Sequence, residues 1–185
     1  MKLGYIMSPS RGGTDPLLAE VARQLKLRGL RLCGTVQVNT EREGSLHCDM
    51  DLMVLPDGPA FRISQNRGNW ARGCRLDAGS LETAVEHVAR SVDRGTDLMI
   101  INKFGKHEAE GRGFRSVIAA ALDSETPVLV GLNALNREAF DKFSGGLATE
   151  LPGHVGAILD WADSRSTKAT AQSTEADKLS AVHLS

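Results

Sequence analysis

The residues that could do chemistry gather in two stretches, and each stretch directly follows a short apolar run. Residues 8–15 follow the apolar residues 3–7, and residues 102–108 follow the apolar residues 98–101. A short apolar run between polar residues indicates a strand buried on both faces, as in a parallel sheet. Open α/β sheets bind their ligands at the carboxyl ends of such strands. We therefore expect both stretches to lie at one edge of a sheet, with the second as the main site.

The first stretch reads Ser-Pro-Ser-Arg-Gly-Gly-Thr-Asp and leads into a helix for which Thr14 or Asp15 is the predicted N-cap. A strand, a glycine-rich turn and a helix N-terminus can together hold phosphate or another oxyanion through free N–H groups and the helix dipole. The candidate ligand-binding residues here are Ser10, Arg11, Gly12, Gly13 and Thr14. Against the pattern G-x-x-x-x-G-K-[ST], Met7 replaces the first glycine and Gly13 replaces the lysine. The missing lysine argues against strong ATP hydrolysis, and an ordinary βα turn is the alternative.

The second stretch offers two lysines, a histidine and two glutamates at the end of a predicted strand. In P-loop nucleoside triphosphatases an acidic residue at this place holds Mg²⁺. Here the place is taken by Asn102, a neutral and weaker magnesium ligand, and Lys103 stands where a second acid is expected. We predict that Asn102, Lys103 and Lys106 bind the ligand, and that Glu108 is the catalytic candidate. The alternative is a solvated loop.

A third candidate region lies between residues 39 and 78. Two cysteines, Cys48 and Cys74, together with nearby acids could hold a soft metal, although no C-x-x-C pair is present. A buried cysteine can also serve simply as a small apolar residue. Ser64 and Gln65 are candidate donors to a small polar ligand.

The order of elements predicts an α/β fold. Strands near residues 3–7, 30–38, 98–101 and 126–131 alternate with helices beginning near residues 14, 80, 114, 135 and 152. Alternating residues from 48 to 64, broken by the turn signal at 56–59, predict an inserted β-hairpin. We predict one domain over residues 1–162 and a disordered tail over residues 163–185.

Composition excludes some classes of partner. The formal net charge is -1, so no global basic field attracts nucleic acid. No apolar run approaches the ~20 residues that span a bilayer, so membrane insertion is not expected. Three cysteines are an odd number and unlike a disulfide framework, which favours a cytoplasmic protein.

Several motifs give the chain a wider resemblance, which covers residues 3 to about 160. They are Leu25-x-x-x-Gly29-Leu30-x-Leu32-x-Gly34-x-Val36-Gln37, Cys48-Asp-Met-Asp-Leu52, Ile63-Ser-Gln65, Gly73-Cys-Arg-Leu-Asp77 and Asn102-Lys-Phe-Gly-Lys-x-Glu108-x-x-Gly111. The chain resembles an uncharacterised bacterial family of P-loop-like proteins whose genes often accompany molybdate-transport genes. It is more distantly similar to small nucleoside-triphosphatases, with Asn102 and Lys103 in the two acidic places while Gly105 and Glu108 fit.

The resemblance implies a three-layer, P-loop-NTPase-like, mostly parallel sheet and a link to molybdenum or molybdate metabolism. The leading hypothesis is an accessory or regulatory protein whose degenerate site binds a small anionic ligand, either a nucleotide with Mg²⁺ or an oxyanion such as molybdate. A molybdate-transport protein or a molybdoenzyme is the expected partner. Two alternatives are an active nucleoside-triphosphatase and a non-catalytic protein-interaction module.

Overall fold

A computed structural model describes residues 2–8, 12–41, 48–65, 76–92 and 95–164. The predicted site residues Ser10, Arg11 and Cys74, and residues 165–185 of the predicted tail, lie outside the described residues. The strands are β1 (Leu3–Met7), β2 (Leu32–Thr40), β3 (Asp49–Val54), β4 (Ala60–Arg62), β5 (Leu98–Phe104), β6 (Val128–Leu132) and β7 (Thr149–Glu150). The helices are α1 (Thr14–Leu27), α2 (Ala78–Val92), α3 (Lys106–Ala109), α4 (Arg115–Asp123), α5 (Arg137–Ser144) and α6 (Val155–Asp163), with a 3₁₀ turn at Ala134–Asn136.

These strands form one sheet in the order β4-β3-β2-β5-β6-β1-β7. The strands β2, β5, β6, β1 and β7 run parallel to one another. β3 and β4 extend the sheet beyond β2 as an antiparallel hairpin. The predicted α/β class, the mostly parallel sheet and the inserted hairpin are confirmed.

Helices cover both faces of the sheet, and each face has its own core. Leu18 and Leu25 of α1 and Ile158 of α6 pack with Ile6 and Ile100 on one face. The other core contains apolar side chains from α2, α4 and α5, namely Val88, Ile118 and Phe140, packed with the opposite side of the same strands. Strands buried on both faces explain the continuous apolar runs in the sequence. The architecture has three layers, as predicted.

The central strand β5 is longer than its apolar run. The sequence predicts an end at Ile101, but the strand continues to Phe104. Its pairing with β6 shifts by one residue between Ile101, opposite Val130, and Phe104, opposite Leu132. One extra residue on a strand is a bulge, which changes the direction of the side chains next to it. Asn102 and Lys103 lie in this irregular segment.

The start of α1 differs in one detail from the prediction. Its N-cap is Gly13, and neither Thr14 nor Asp15 has that position, since both already lie in the helix. Asp15 is instead buried in the first turn, with 2% of its surface exposed. In the part of the chain that the structure describes, no helix is long and apolar enough to cross a membrane.

Candidate functional site

A buried carboxylate lies at the centre of the candidate site. Asp15 accepts hydrogen bonds from three side-chain amides. Its Oδ2 accepts from Gln37 Nε2 at 3.1 Å and from Asn39 Nδ2 at 2.7 Å. Its Oδ1 accepts from Asn102 Nδ2 at 3.1 Å. We call Asp15, Gln37, Asn39 and Asn102 the amide cluster.

Three elements bring the amide cluster together at the carboxyl edge of the parallel strands. Asp15 is in the first turn of α1. Gln37 and Asn39 are two residues apart near the end of β2, so they point to the same side of the strand. Asn102 follows Ile101, whose partner on the neighbouring strand β2 is Thr35. The parallel pairing of β2 with β5 therefore places these polar side chains at one edge.

Asn102 carries an oxygen atom that has no hydrogen-bond partner among the described residues. The residue is 2% exposed, and its Oδ1 is buried. The orientation of the amide is determined by Asp15, because a carboxylate needs a donor and only Nδ2 can donate. A buried carbonyl oxygen without a partner is costly, so this strand end is a candidate binding site.

The unpartnered oxygen lies close to the start of α1. A Cβ atom added to Gly131 of β6 would be 3.1 Å from Asn102 Oδ1 and 3.5 Å from Thr14 Oγ1. The same Cβ would be 3.1 Å from Leu18 Cδ1, so Asn102, Thr14 and Leu18 pack closely around this glycine. Thr14 is itself buried, with 7% of its surface exposed. The structure thus brings together two predicted site residues that are distant in sequence.

The N-terminus of α1 adds electropositive groups to this edge. Gly12 has a φ of 76°, which favours glycine, and its carbonyl accepts from Asp15 N at 3.0 Å. Gly13 follows with a φ of -65° as the N-cap. The first N–H groups of a helix lack intrahelical partners and carry a partial positive charge. They favour an anion next to the turn.

The two predicted lysines differ in their surroundings. Lys103 is half-buried within the irregular segment of β5. Lys106 is exposed at the start of α3, and its Nζ lies 3.6 Å from Glu110 Oε1. An exposed ion pair of this kind contributes little to stability. Ligand binding by either lysine stays a prediction.

Glu108 is buried and hydrogen-bonded to the backbone around α3. Its Oε2 accepts from Gly105 N at 2.8 Å and its Oε1 accepts from Phe114 N at 3.1 Å. Burial raises the pKa of this carboxyl group, and the bonds from Gly105 and Phe114 oppose that rise. The observed contacts give Glu108 a role in holding the loop after β5. The catalytic role stays a prediction.

Ser64 and Gln65 lie at the end of the hairpin and outside the amide cluster. Ser64 Oγ accepts from Met50 N of β3 at 3.0 Å, and Gln65 is exposed. The strand β2 separates β3 from β5, which carries Asn102. Among the described residues, no observed contact links Ser64 or Gln65 to Asn102. Their ligand-binding role stays a prediction.

Cys48, the described member of the predicted metal pair, is half-buried just before β3. Within the described ranges, no group of three or more His, Cys, Asp or Glu side chains could hold a metal ion. The pairing of Cys48 with Cys74 stays a prediction, because Cys74 is not described.

Sequence reasoning did not assign a binding role to Asp15, Gln37, Asn39 or Gly131. Their signal is faint: an acid in the first turn of a helix, and amides at alternate positions near the end of the second strand. Polar residues at the ends of several strands could have pointed to them, since such ends meet at one edge of a parallel sheet.

Comparisons with known proteins agree with this architecture. The chain is 35% identical over 150 residues to the molybdenum import ATP-binding protein ModC 2 of Bradyrhizobium diazoefficiens. That match covers 81% of this chain but only 17% of the relative. The solution structure of a human cancer-related nucleoside triphosphatase has a TM-score of 0.56 and 19% identity, and covers 81% of this chain and 87% of that one. At that identity the likeness shows the fold alone, an α/β architecture built on a mostly parallel sheet. Residues 3–161 match a family model described as a protein of unknown function, DUF2478, and the chain belongs to that family.

Proposed function

We propose that this protein binds a nucleotide or another oxyanion at the N-terminus of α1 and acts as an accessory or regulatory protein in molybdenum import. The observation that carries the proposal is the buried, unpartnered Oδ1 of Asn102 beside Thr14. A helix N-terminus alone is a common feature, but here a second element directs a buried polar atom to the same place. The N–H groups of the helix would bind an anion. The amide oxygen would accept from a donor on the ligand or coordinate a cation that accompanies it.

The residue types favour binding over rapid hydrolysis. Gly13 stands at the place of the loop lysine that reaches the outer phosphates in P-loop enzymes. Asn102 stands at the strand end where those enzymes carry an acid. Hydrolysis depends on neutralising the charge that develops on the transferred phosphoryl group. A site without these two groups supports a binding or signalling role.

The link to molybdenum rests on the relative from Bradyrhizobium. This chain corresponds to 17% of a protein described as a molybdenum import ATP-binding protein, so the matched region is one part of a much longer chain. A region that is joined to other parts in one protein is a candidate to contact such parts. We propose an ATP-binding subunit of a molybdenum importer as the partner.

Isothermal titration calorimetry with ATP, GTP, molybdate and tungstate tests the proposal. We expect heat of binding with at least one of them. The variant Gly13→Asp should weaken this binding about tenfold, because a negative charge beside an anion at a helix N-terminus costs on the order of 1 kcal/mol. Gly13 has a negative φ, so the backbone accepts the new side chain.

The matched control is Gly156→Asp, which adds the same charge to the first turn of α6 at an exposed position. It should leave the affinity unchanged. Absence of heat with all four ligands, or equal loss of affinity in both variants, would contradict the proposal.

A further inference from the structure

We infer that Asp15 of α1 supplies the carboxylate of this site. Asn102 occupies the strand end at which P-loop enzymes carry that carboxylate. The two side chains are in direct contact, with Asn102 Nδ2 3.1 Å from Asp15 Oδ1. The inference rests on the proposed function and narrows the ligand. The site takes a nucleotide together with a divalent cation, and a bare oxyanion is a poor ligand.

Asp15 brings a negative charge to the edge of the sheet where the anion would bind. An anion at the N-terminus of α1 would share this edge with a buried carboxylate that is 2% exposed. Among the described residues, the three side chains that hold Asp15 are neutral amides, so they orient the carboxylate without cancelling its charge. Like charges repel strongly where water is excluded. A divalent cation between the two removes this repulsion.

Oxygen atoms of three residues at this edge could coordinate the cation. A carboxylate oxygen has two acceptor positions. Both positions of Asp15 Oδ2 are taken, by Gln37 and Asn39, whereas Oδ1 accepts from Asn102 alone among the described residues. Asn102 Oδ1 accepts from none of them, and Thr14 Oγ1 lies against the same glycine. Three neighbouring residues, Thr14, Asp15 and Asn102, therefore bring oxygen atoms to the same end of the sheet.

The chemistry of these groups selects the cation. Carboxylate, amide and hydroxyl oxygens are hard ligands that suit Mg²⁺ or Mn²⁺ and do not suit soft metals. Magnesium in nucleotide sites is typically held by one or two carboxylates, the phosphates and several waters. One carboxylate with two neutral oxygens is enough for such a site. Asn102 would contribute its Oδ1 to the cation or to one of its waters, because Asp15 holds the amide through Nδ2.

The test compares nucleotide affinity with Mg²⁺ and with EDTA, by calorimetry on the full chain. For the wild type we expect ATP to bind at least about tenfold more weakly without Mg²⁺, the size of effect that supporting residues have at metal sites. Asp15→Asn should abolish the difference between the two conditions. The exchange variant Asp15→Asn/Asn102→Asp, which returns the acid to the strand, should restore it. Asp160→Asn, an exposed acid on α6, is the control and should behave as wild type.

Electron paramagnetic resonance of Mn²⁺ gives a second measurement that does not depend on hydrolysis. Free Mn²⁺ should disappear in the presence of ATP and wild-type protein beyond the amount that ATP alone binds, and this extra loss should vanish in Asp15→Asn. Circular dichroism shows whether each variant is folded. If Asp15→Asn is unfolded, the wild-type Mg²⁺ dependence and the exchange variant still decide the question.

The outcomes separate this inference from the proposed function. No binding of any nucleotide or oxyanion would overturn the proposed function itself. Equal ATP affinity with Mg²⁺ and EDTA, or metal-free molybdate binding tighter than Mg²⁺–ATP, would overturn the inference and leave the proposed function standing. An exchange variant that is folded but does not respond to Mg²⁺ would likewise overturn the inference that Asp15 supplies the acid of the strand end.

Discussion

Tyr5, the only tyrosine in the sequence, is a buried side chain that links strand β1 to strand β7. It lies in β1 with 3% of its surface exposed, and its hydroxyl donates to Glu150 Oε2 of β7 at 2.8 Å. Burial, and next the bond to Glu150, raise the pKa of Tyr5 to about 12. The guanidinium of Arg137, 4.9 Å from the ring centroid, acts in the opposite direction.

We predict that the pKa of Tyr5 is about 12 in the folded protein, well above the ordinary tyrosine value of 10.0. The phenol is favoured in the folded state, so its contribution to stability is complete below pH 10 and is lost as the pH rises towards 12. The ultraviolet absorbance of phenolate measures this directly, because no other tyrosine contributes. Glu150→Gln should lower the midpoint while leaving it above 10. A wild-type midpoint near 10 in folded protein would contradict the burial and the hydrogen bond.

The site residues divide according to what local sequence can show. Thr14 and Asn102 could be predicted, because each stands at a fixed distance from an apolar run that marks a strand. The contact of Asp15 with Gln37 and Asn39 could not, because it spans 22 and 24 residues and depends on how α1 lies across β2. The orientation of Asn102 depends in turn on Asp15.

The strand β2 approaches β5 so closely that one position excludes a side chain. Gly34 has a φ of 103°, and a Cβ atom there would lie 1.9 Å from Ile100 O. This contact is between backbones, so neither strand can move without disturbing its own hydrogen bonds. Gly29, at the end of α1, also has a positive φ of 83°, but no atom of the described residues lies within 4 Å of an added Cβ.

We predict that Gly34→Ala lowers the free energy of unfolding by about 3 kcal/mol or more, since strain and overlap act together. Gly29→Ala carries the conformational cost alone, about 1–2 kcal/mol. Urea denaturation followed by circular dichroism gives both values. Equal losses in the two variants would mean that the close approach of β2 to β5 is not as described.

Elements were predictable where their pattern was long and were missed where it was short. The strands β1, β2, β3 and the apolar part of β5 follow from patterns in the sequence, as do the amphipathic helices α1 and α2. The two residues of β7 pair only with Gly4 and Tyr5 of β1, and so short a strand has no periodicity of its own. The bulge in β5 arises from its pairing with β6, which no local pattern contains.

At the scale of the whole molecule, burial falls from the centre of the sheet to its edges. Residues of the central strands β5 and β6, such as Ile100 and Leu129, are fully buried. The hairpin strand β4 and the edge strand β7 are largely exposed. Since slow amide exchange requires the opening of a buried, hydrogen-bonded region, the centre should open only with global unfolding.

We predict that hydrogen exchange measured by mass spectrometry is slowest in peptides covering residues 98–104 and 128–132, and fast at 60–62 and 149–150. Addition of Mg²⁺–ATP should slow exchange further at residues 12–18, 35–40 and 98–104, because these segments carry the α1 N-terminus and the amide cluster. The exchange of 149–150 should be unchanged. Protection confined to residues 48–65 would instead place the ligand at the hairpin, near Ser64 and Gln65, and would contradict binding at the N-terminus of α1.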